Sequence, residues 1–149
     1  MPKFEAMKKK TLGRLQFEEE EEPYFLFGIS TGFADYRLAW EINTCLDLKL
    51  LLSDEKLEIH DKRIQKILFY KVFHYFEEDT LTNYYLVKNK QQNQLLFPDK
   101  SKIDYFLLVR EVGSFNDEEC LQKIRLINGI TAVFDFREEP FNIGPLLTF

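Results

Sequence analysis

An α+β fold, a two-layer sandwich of mostly antiparallel sheet with two helices on one face, is what this chain predicts, and three observations carry the prediction. Apolar runs rich in aromatic and β-branched residues outnumber helical patterns. Only two stretches, 34–46 and 116–127, place apolar residues at the 3.6-residue period. Taken in order the elements read β-α-β-β-β-α-β, an order related to that of ferredoxin-like plaits.

The first 22 residues form a charged N-terminal segment. Lys8-Lys9-Lys10 and the run Glu18 to Glu22 bracket residues 11–17, where a short strand fits between two solvated charge blocks. Residues 23–149 are then expected to be a single α+β domain. Residues 24–30 make a continuous apolar run between Pro23 and Gly32, the pattern of a central strand buried on both faces. In residues 34–46, Ala34, Leu38, Ala39, Ile42, Cys45 and Leu46 share one side of a helix, and Asp35 in its first turn suits the helix dipole. Residues 53–65 are polar and are assigned to no element. The runs 67–76 and 83–88, separated by Glu77-Glu78-Asp79-Thr80, read as a hairpin, and 103–109 supplies a further strand.

The second helix has the clearest boundary signals. Asn116 is placed as N-cap with Glu119 three residues on, Phe115 and Cys120 stand at hydrophobic-staple positions, and Asn128-Gly129 offers a stop. Cys120, Leu121, Ile124 and Ile127 are its core residues. Along 130–136, Ile130, Ala132, Phe134 and Phe136 alternate with Thr131, Val133 and Asp135, the period of a half-buried strand.

Composition narrows the functional classes. With 15 Phe, 7 Tyr and only 6 Gly and 5 Pro, the 149 residues read as one aromatic-rich core. A net charge of -5 argues against general nucleic-acid binding, which needs a basic face. No apolar stretch approaches the length of a secretory or membrane-spanning segment, so a cytoplasmic location without membrane contact is expected. Cys45 and Cys120 have no metal-ligand spacing and are expected to be buried thiols.

Few residues suggest chemistry. Gly28-Ile29-Ser30-Thr31-Gly32 has the form G-x-S-x-G between a strand and a helix, but only 27 residues precede it. A hydrolase of that type needs several βα units ahead of its nucleophile. Ser30 and Thr31 could instead line an anion- or ligand-holding turn at the helix N-terminus, although Asp35 repels a phosphate there. His60 is read as exposed and His74 as a cross-strand packing residue. Neither a metal site nor a cofactor is expected.

The first helix carries a surface beyond its core stripe. Phe33, Tyr36 and Trp40 project away from Leu38 and Ile42 with Arg37 beside them, and aromatics with Arg are the residues enriched at protein interfaces. Tyr84-Tyr85 followed by Lys88 and Lys90 mixes aromatic and basic residues, yet no segment has the RNP1 form of an RNA-binding sheet.

The remaining motif is Phe97-Pro98-Asp99, then three residues, then Ile103-Asp104-Tyr105. It resembles the signature of the IPExxxVDY family of small bacterial proteins, with Phe97, Asp99 and Ile103 as its three departures. The likeness extends to Gly28-Ile29-Ser30, to the stretch from Asp35 to Trp40, to Leu86-Val87-Lys88-Asn89-Lys90 and to the end Leu146-Leu147-Thr148-Phe149. That resemblance implies a soluble intracellular protein similar to ones found mainly in Bacteroidetes, and no reaction.

Pro98 pre-sets a turn, whereas Asp104 is a poor strand former at the head of an apolar strand. Asp99 and Asp104 are therefore read as carboxylates that bind backbone or a basic side chain and fix register, with a ligand-contacting pair as the alternative. Three functions compete on this reading. The leading one is a non-enzymatic interaction module, binding a protein partner or a second copy through Phe33, Tyr36, Arg37 and Trp40. The second is a small-molecule-binding regulatory domain, and the weakest is an enzyme using Asp99, Asp104 and Tyr105.

Overall fold

The computed structural model describes residues 24–91, 93–110, 115–136, 143, 144 and 146. The charged segment 1–22 and its short strand at 11–17 lie outside them. The described elements run β1 (Tyr24–Thr31), α1 (Asp35–Leu46), β2 (Leu51–Leu52), β3 (Leu57–Asp61), β4 (Lys66–Tyr70), β5 (Val72–Glu77) and β6 (Thr82–Lys88). There follow β7 (Lys90–Gln91), β8 (Gln94–Leu95), β9 (Tyr105–Arg110), α2 (Asp117–Arg125) and β10 (Ile130–Asp135).

Six strands form one antiparallel sheet in the order β10-β1-β9-β6-β5-β2. Because β9 and β10 each pair antiparallel with β1, they run parallel to one another, and α2 carries the chain between them across β1. This is the split β-α-β connection of ferredoxin-like plaits, so the α+β sandwich with both helices on one face is what the chain adopts. Leu38, Ala39 and Ile42 of α1 and Cys120, Leu121 and Ile124 of α2 pack on Phe27, Ile29, Leu86, Leu107 and Val109 of the sheet. Each such side chain contributes about 1.5–3 kcal/mol by leaving water.

The opposite face of the sheet is covered too. Leu26, Val72, Val87, Phe106 and Leu108 pack under the β3–β4 hairpin, the turn at Leu96–Phe97 and residues Phe136, Ile143 and Leu146. Burial on both sides explains why β1 and β9 are continuous apolar runs and not alternating ones. Gly28 is needed here: a Cβ at this position would lie 2.5 Å from the Phe136 ring.

Three expectations change. The run 67–76 is two strands, broken at Lys71, with β4 in the covering hairpin and β5 in the main sheet. Residues 57–61, within the polar stretch left unassigned, are β3: Glu58 and His60 are exposed while Leu57 is buried. The alternation in 130–136 is also interrupted. Ser30 pairs with Ala132 but Thr31 pairs with Ile130, so Thr131 is an extra, bulged residue. Ile130 and Val133 consequently both pack toward the helices, Phe136 enters the opposite core, and Phe134 stays 43% exposed.

Helix boundaries follow local chemistry. Asn116 Oδ1 accepts the Glu119 N–H at 3.0 Å, the N-cap bond expected from its sequence position. The first helix starts without a side-chain cap at Ala34 and ends at Asp47, which takes a left-handed conformation with φ 58°. On the β10 edge, Arg125 of α2 donates to the Val133 carbonyl at 3.2 Å.

Candidate functional site

The segment from Phe97 to Tyr105 is organised by a residue that sequence reasoning did not single out. Asn89, at the end of β6, is 0% exposed, and its amide spans the whole turn. Its Nδ2 donates to the carbonyls of Lys100 (3.0 Å) and Ile103 (2.8 Å), while its Oδ1 accepts the Phe97 N–H at 2.9 Å. The backbone joins in, with Asn89 N–H donating to Asp104 O and Leu96 N–H to Asn89 O. Pro98 opens a single 3₁₀ turn, Pro98–Lys100, held inside this clamp. A lone Asn between two lysines, contacting residues eight to fourteen positions later, has no local sequence signature.

Asp104, Tyr105 and Asp99 go to three different environments. Asp104 Oδ2 accepts the Thr31 N–H at 2.9 Å and its own N–H donates to Ile29 O, which extends the β1–β9 pairing past its last register pair. Tyr105 is 2% exposed, and its hydroxyl donates to Phe33 O at 2.7 Å. Burial, with Asp35 and Asp104 nearby, pushes this phenol up to about 12. Asp99 stands exposed on the 3₁₀ turn and forms no hydrogen bond or ion pair among the described residues. The backbone-binding reading therefore holds for Asp104 and not for Asp99.

The Ser30–Thr31 turn is occupied by the protein itself. Ser30 Oγ donates to Lys102 O at 2.6 Å, and Thr31 Oγ1 donates to Gly129 O at 2.7 Å while accepting the Phe33 N–H. With the Thr31 N–H held by Asp104, the turn's donors face internal acceptors, and a carboxylate already fills the anion position.

The α1 surface divides in two. Tyr36 and Trp40 are 71% and 58% exposed, one turn apart. Phe33 does not join them: it is half-buried, packs on the helix-side core and meets Gly129, where a Cβ would fall 2.2 Å from its ring. Gly129 has φ +107°, so glycine is required both for backbone and for space. Arg37 bridges the two groups, its guanidinium 5.0 Å from the Phe33 ring and 5.8 Å from the Trp40 ring. An ion pair with Glu41 at 2.7 Å fixes it there.

His74 lies opposite Tyr85 and stacks on it, as a cross-strand packing residue should. His60 is exposed on the covering hairpin beside Glu58 at 3.1 Å. Among the described residues no group of three or more His, Cys, Asp or Glu could hold a metal ion, and no helix is long and apolar enough to cross a membrane. Compared with known proteins, the chain matches no family model, no curated sequence and no solved structure.

Proposed function

We propose that this protein is a non-enzymatic interaction module that self-associates through the exposed stripe of α1, and that it is a bacterial cytoplasmic protein of the IPExxxVDY type. The observation that carries the reading is the pair Tyr36 and Trp40. They are solvent-facing on a helix whose other side is sealed, and Arg37 is already ordered against the Trp40 ring. Trp, Tyr and Arg dominate binding energy at protein interfaces, and a preordered Arg loses less entropy on docking.

The charge pattern favours a second copy as the occupant. Arg37 and Glu41 lie one turn apart, so two α1 helices packed antiparallel about an axis beside residue 39 bring each Arg37 opposite the other copy's Glu41. Such an interface is self-complementary in charge and places the two Trp40 rings near its centre. The enzymatic alternative draws no support from Asp99, Asp104 and Tyr105, which do not converge.

Sedimentation velocity of the full chain over a range of micromolar concentrations tests this. The expected result is a monomer–dimer equilibrium that Trp40→Ala shifts to monomer with unchanged far-UV circular dichroism. A monomer at every concentration, or a dimer indifferent to Trp40→Ala, overturns self-association through this face.

A further inference from the structure

A cleft of about 350 Å³ lies between the β3–β4 hairpin and the stretch 95–98. This is within the usual range for small-molecule sites, about 300–1,000 Å³. Ile59 and Leu68, paired across the hairpin, line it together with Leu95, Leu96 and Pro98. All five side chains are hydrocarbon, so they suit an aliphatic chain and offer it no polar partner. Tyr70 also lines the cleft. It is only 1% exposed, and its hydroxyl has no hydrogen-bond partner among the described residues, whereas a buried Tyr O–H usually finds one. Burial, and then the nearby Asp61 carboxylate, push this phenol up, which places its hydroxyl toward the part of the cleft that Asp61 lines.

Asp61 is already satisfied. Its Oδ1 accepts the Arg63 N–H at 3.0 Å, and the Arg63 guanidinium approaches the same oxygen at 3.3 Å. Lys62, a further lining residue, forms no hydrogen bond or ion pair among the described residues, so this end of the cleft carries one surplus positive charge. We propose that the cleft binds a medium-chain aliphatic carboxylate, its tail along the hydrocarbon side chains and its head group accepting from the Tyr70 hydroxyl. A buried O–H without a partner calls for an acceptor, and a carboxylate is the acceptor that makes the stronger, charge-assisted bond. Lys62 attracts the same charge, whereas an amine would be repelled by it and would find Asp61 occupied by Arg63. This site lies on the face away from the helices and is independent of the α1 surface.

Heteronuclear NMR titration of the full chain with octanoate is the test, with 1-octanol, octylamine and acetate in parallel. Saturable shifts of the Ile59, Leu68 and Leu96 amides are expected with octanoate. Binding should be weaker for 1-octanol, and absent for octylamine, which reverses the head-group charge, and for acetate, which lacks the tail. Tyr70→Phe keeps the ring and should weaken octanoate about tenfold by removing the donor to a charged acceptor. Lys62→Ala, on the exposed hairpin turn, should weaken it about two- to fivefold with the fold intact, which keeps the test decisive if Tyr70→Phe does not fold. Trp40→Ala should leave octanoate binding unchanged. Absence of saturable shifts at millimolar octanoate, equal or tighter binding of 1-octanol or octylamine, or affinity unaltered in Tyr70→Phe or in Lys62→Ala overturns the proposal.

Discussion

Replacing Asn89 by Ala removes a side chain that holds the turn from Phe97 to Ile103 at three points. The lost bonds are Nδ2 to Lys100 O and to Ile103 O, and Phe97 N–H to Oδ1, at 3.0, 2.8 and 2.9 Å. Each is worth about 0.5–1.5 kcal/mol net, and a buried donor or acceptor left without its partner costs about 1–3 kcal/mol. Partial entry of water offsets some of this, so the expected loss is about 3–5 kcal/mol. Urea unfolding followed by far-UV circular dichroism measures it as a lower midpoint with an unchanged slope. Amide exchange adds a local readout, because the Phe97 N–H should lose its protection. Asn89→Asp keeps the shape but turns a carboxylate toward two carbonyl oxygens. Its protonated form is then favoured in the fold, so that variant's deficit should grow as pH rises through the carboxylate range. A loss below about 1 kcal/mol in Asn89→Ala would refute the clamp.

Asp104→Ala should cost about 1–3 kcal/mol, because the Thr31 N–H loses its carboxylate acceptor at the end of β1. Asp104→Asn, which retains an acceptor oxygen, should recover most of that, and an unchanged melting temperature in Asp104→Ala would free the residue for another role. At alkaline pH the buried Tyr105 phenol and Cys120 thiol act together. Burial raises both to about 12, from ordinary values of 10.0 and 9.0. A group whose folded pKa is raised binds its proton more tightly in the native state, so stability should hold below pH 9 and fall as pH climbs toward 12. Urea midpoints at intervals from pH 7 to 11 check the direction, and a midpoint that rises above pH 9 would contradict it.

The main sheet apart from the two-residue β2 was legible because its strands are apolar runs, and the helices carry period signals and, in α2, a cap that local chemistry alone produces. Asn116 capping Glu119 and the buried stripe Leu38, Ala39 and Ile42 are of this kind. The covering layer was not legible. β3 and β4 bury alternate residues against a sheet already apolar on both faces, so Lys71 gives no hint that the chain changes layers there. At the candidate site, the Tyr36–Trp40 stripe could be read from helical spacing. Phe33 could not be separated from it, because its burial depends on Gly129, 96 positions away along the chain. Likewise Asp104 as a register-setting residue was readable from its poor strand propensity, while Asn89 acts through contacts that only the folded chain creates. The spacing from Phe97 to Ile103 is therefore under mechanical constraint in this chain. An insertion there would pull at least one of three backbone groups beyond the reach of a single amide.

The two ends of the sheet bear on how copies of this chain can meet. A strand edge with free backbone groups invites strand addition and, repeated, fibrils. Here β2 offers only two residues, and β10 is distorted by the Thr131 bulge and has its Val133 carbonyl engaged by Arg125. Growth by backbone pairing is thereby obstructed on both sides. Any contact between copies is thereby left to side chains and not to added strands.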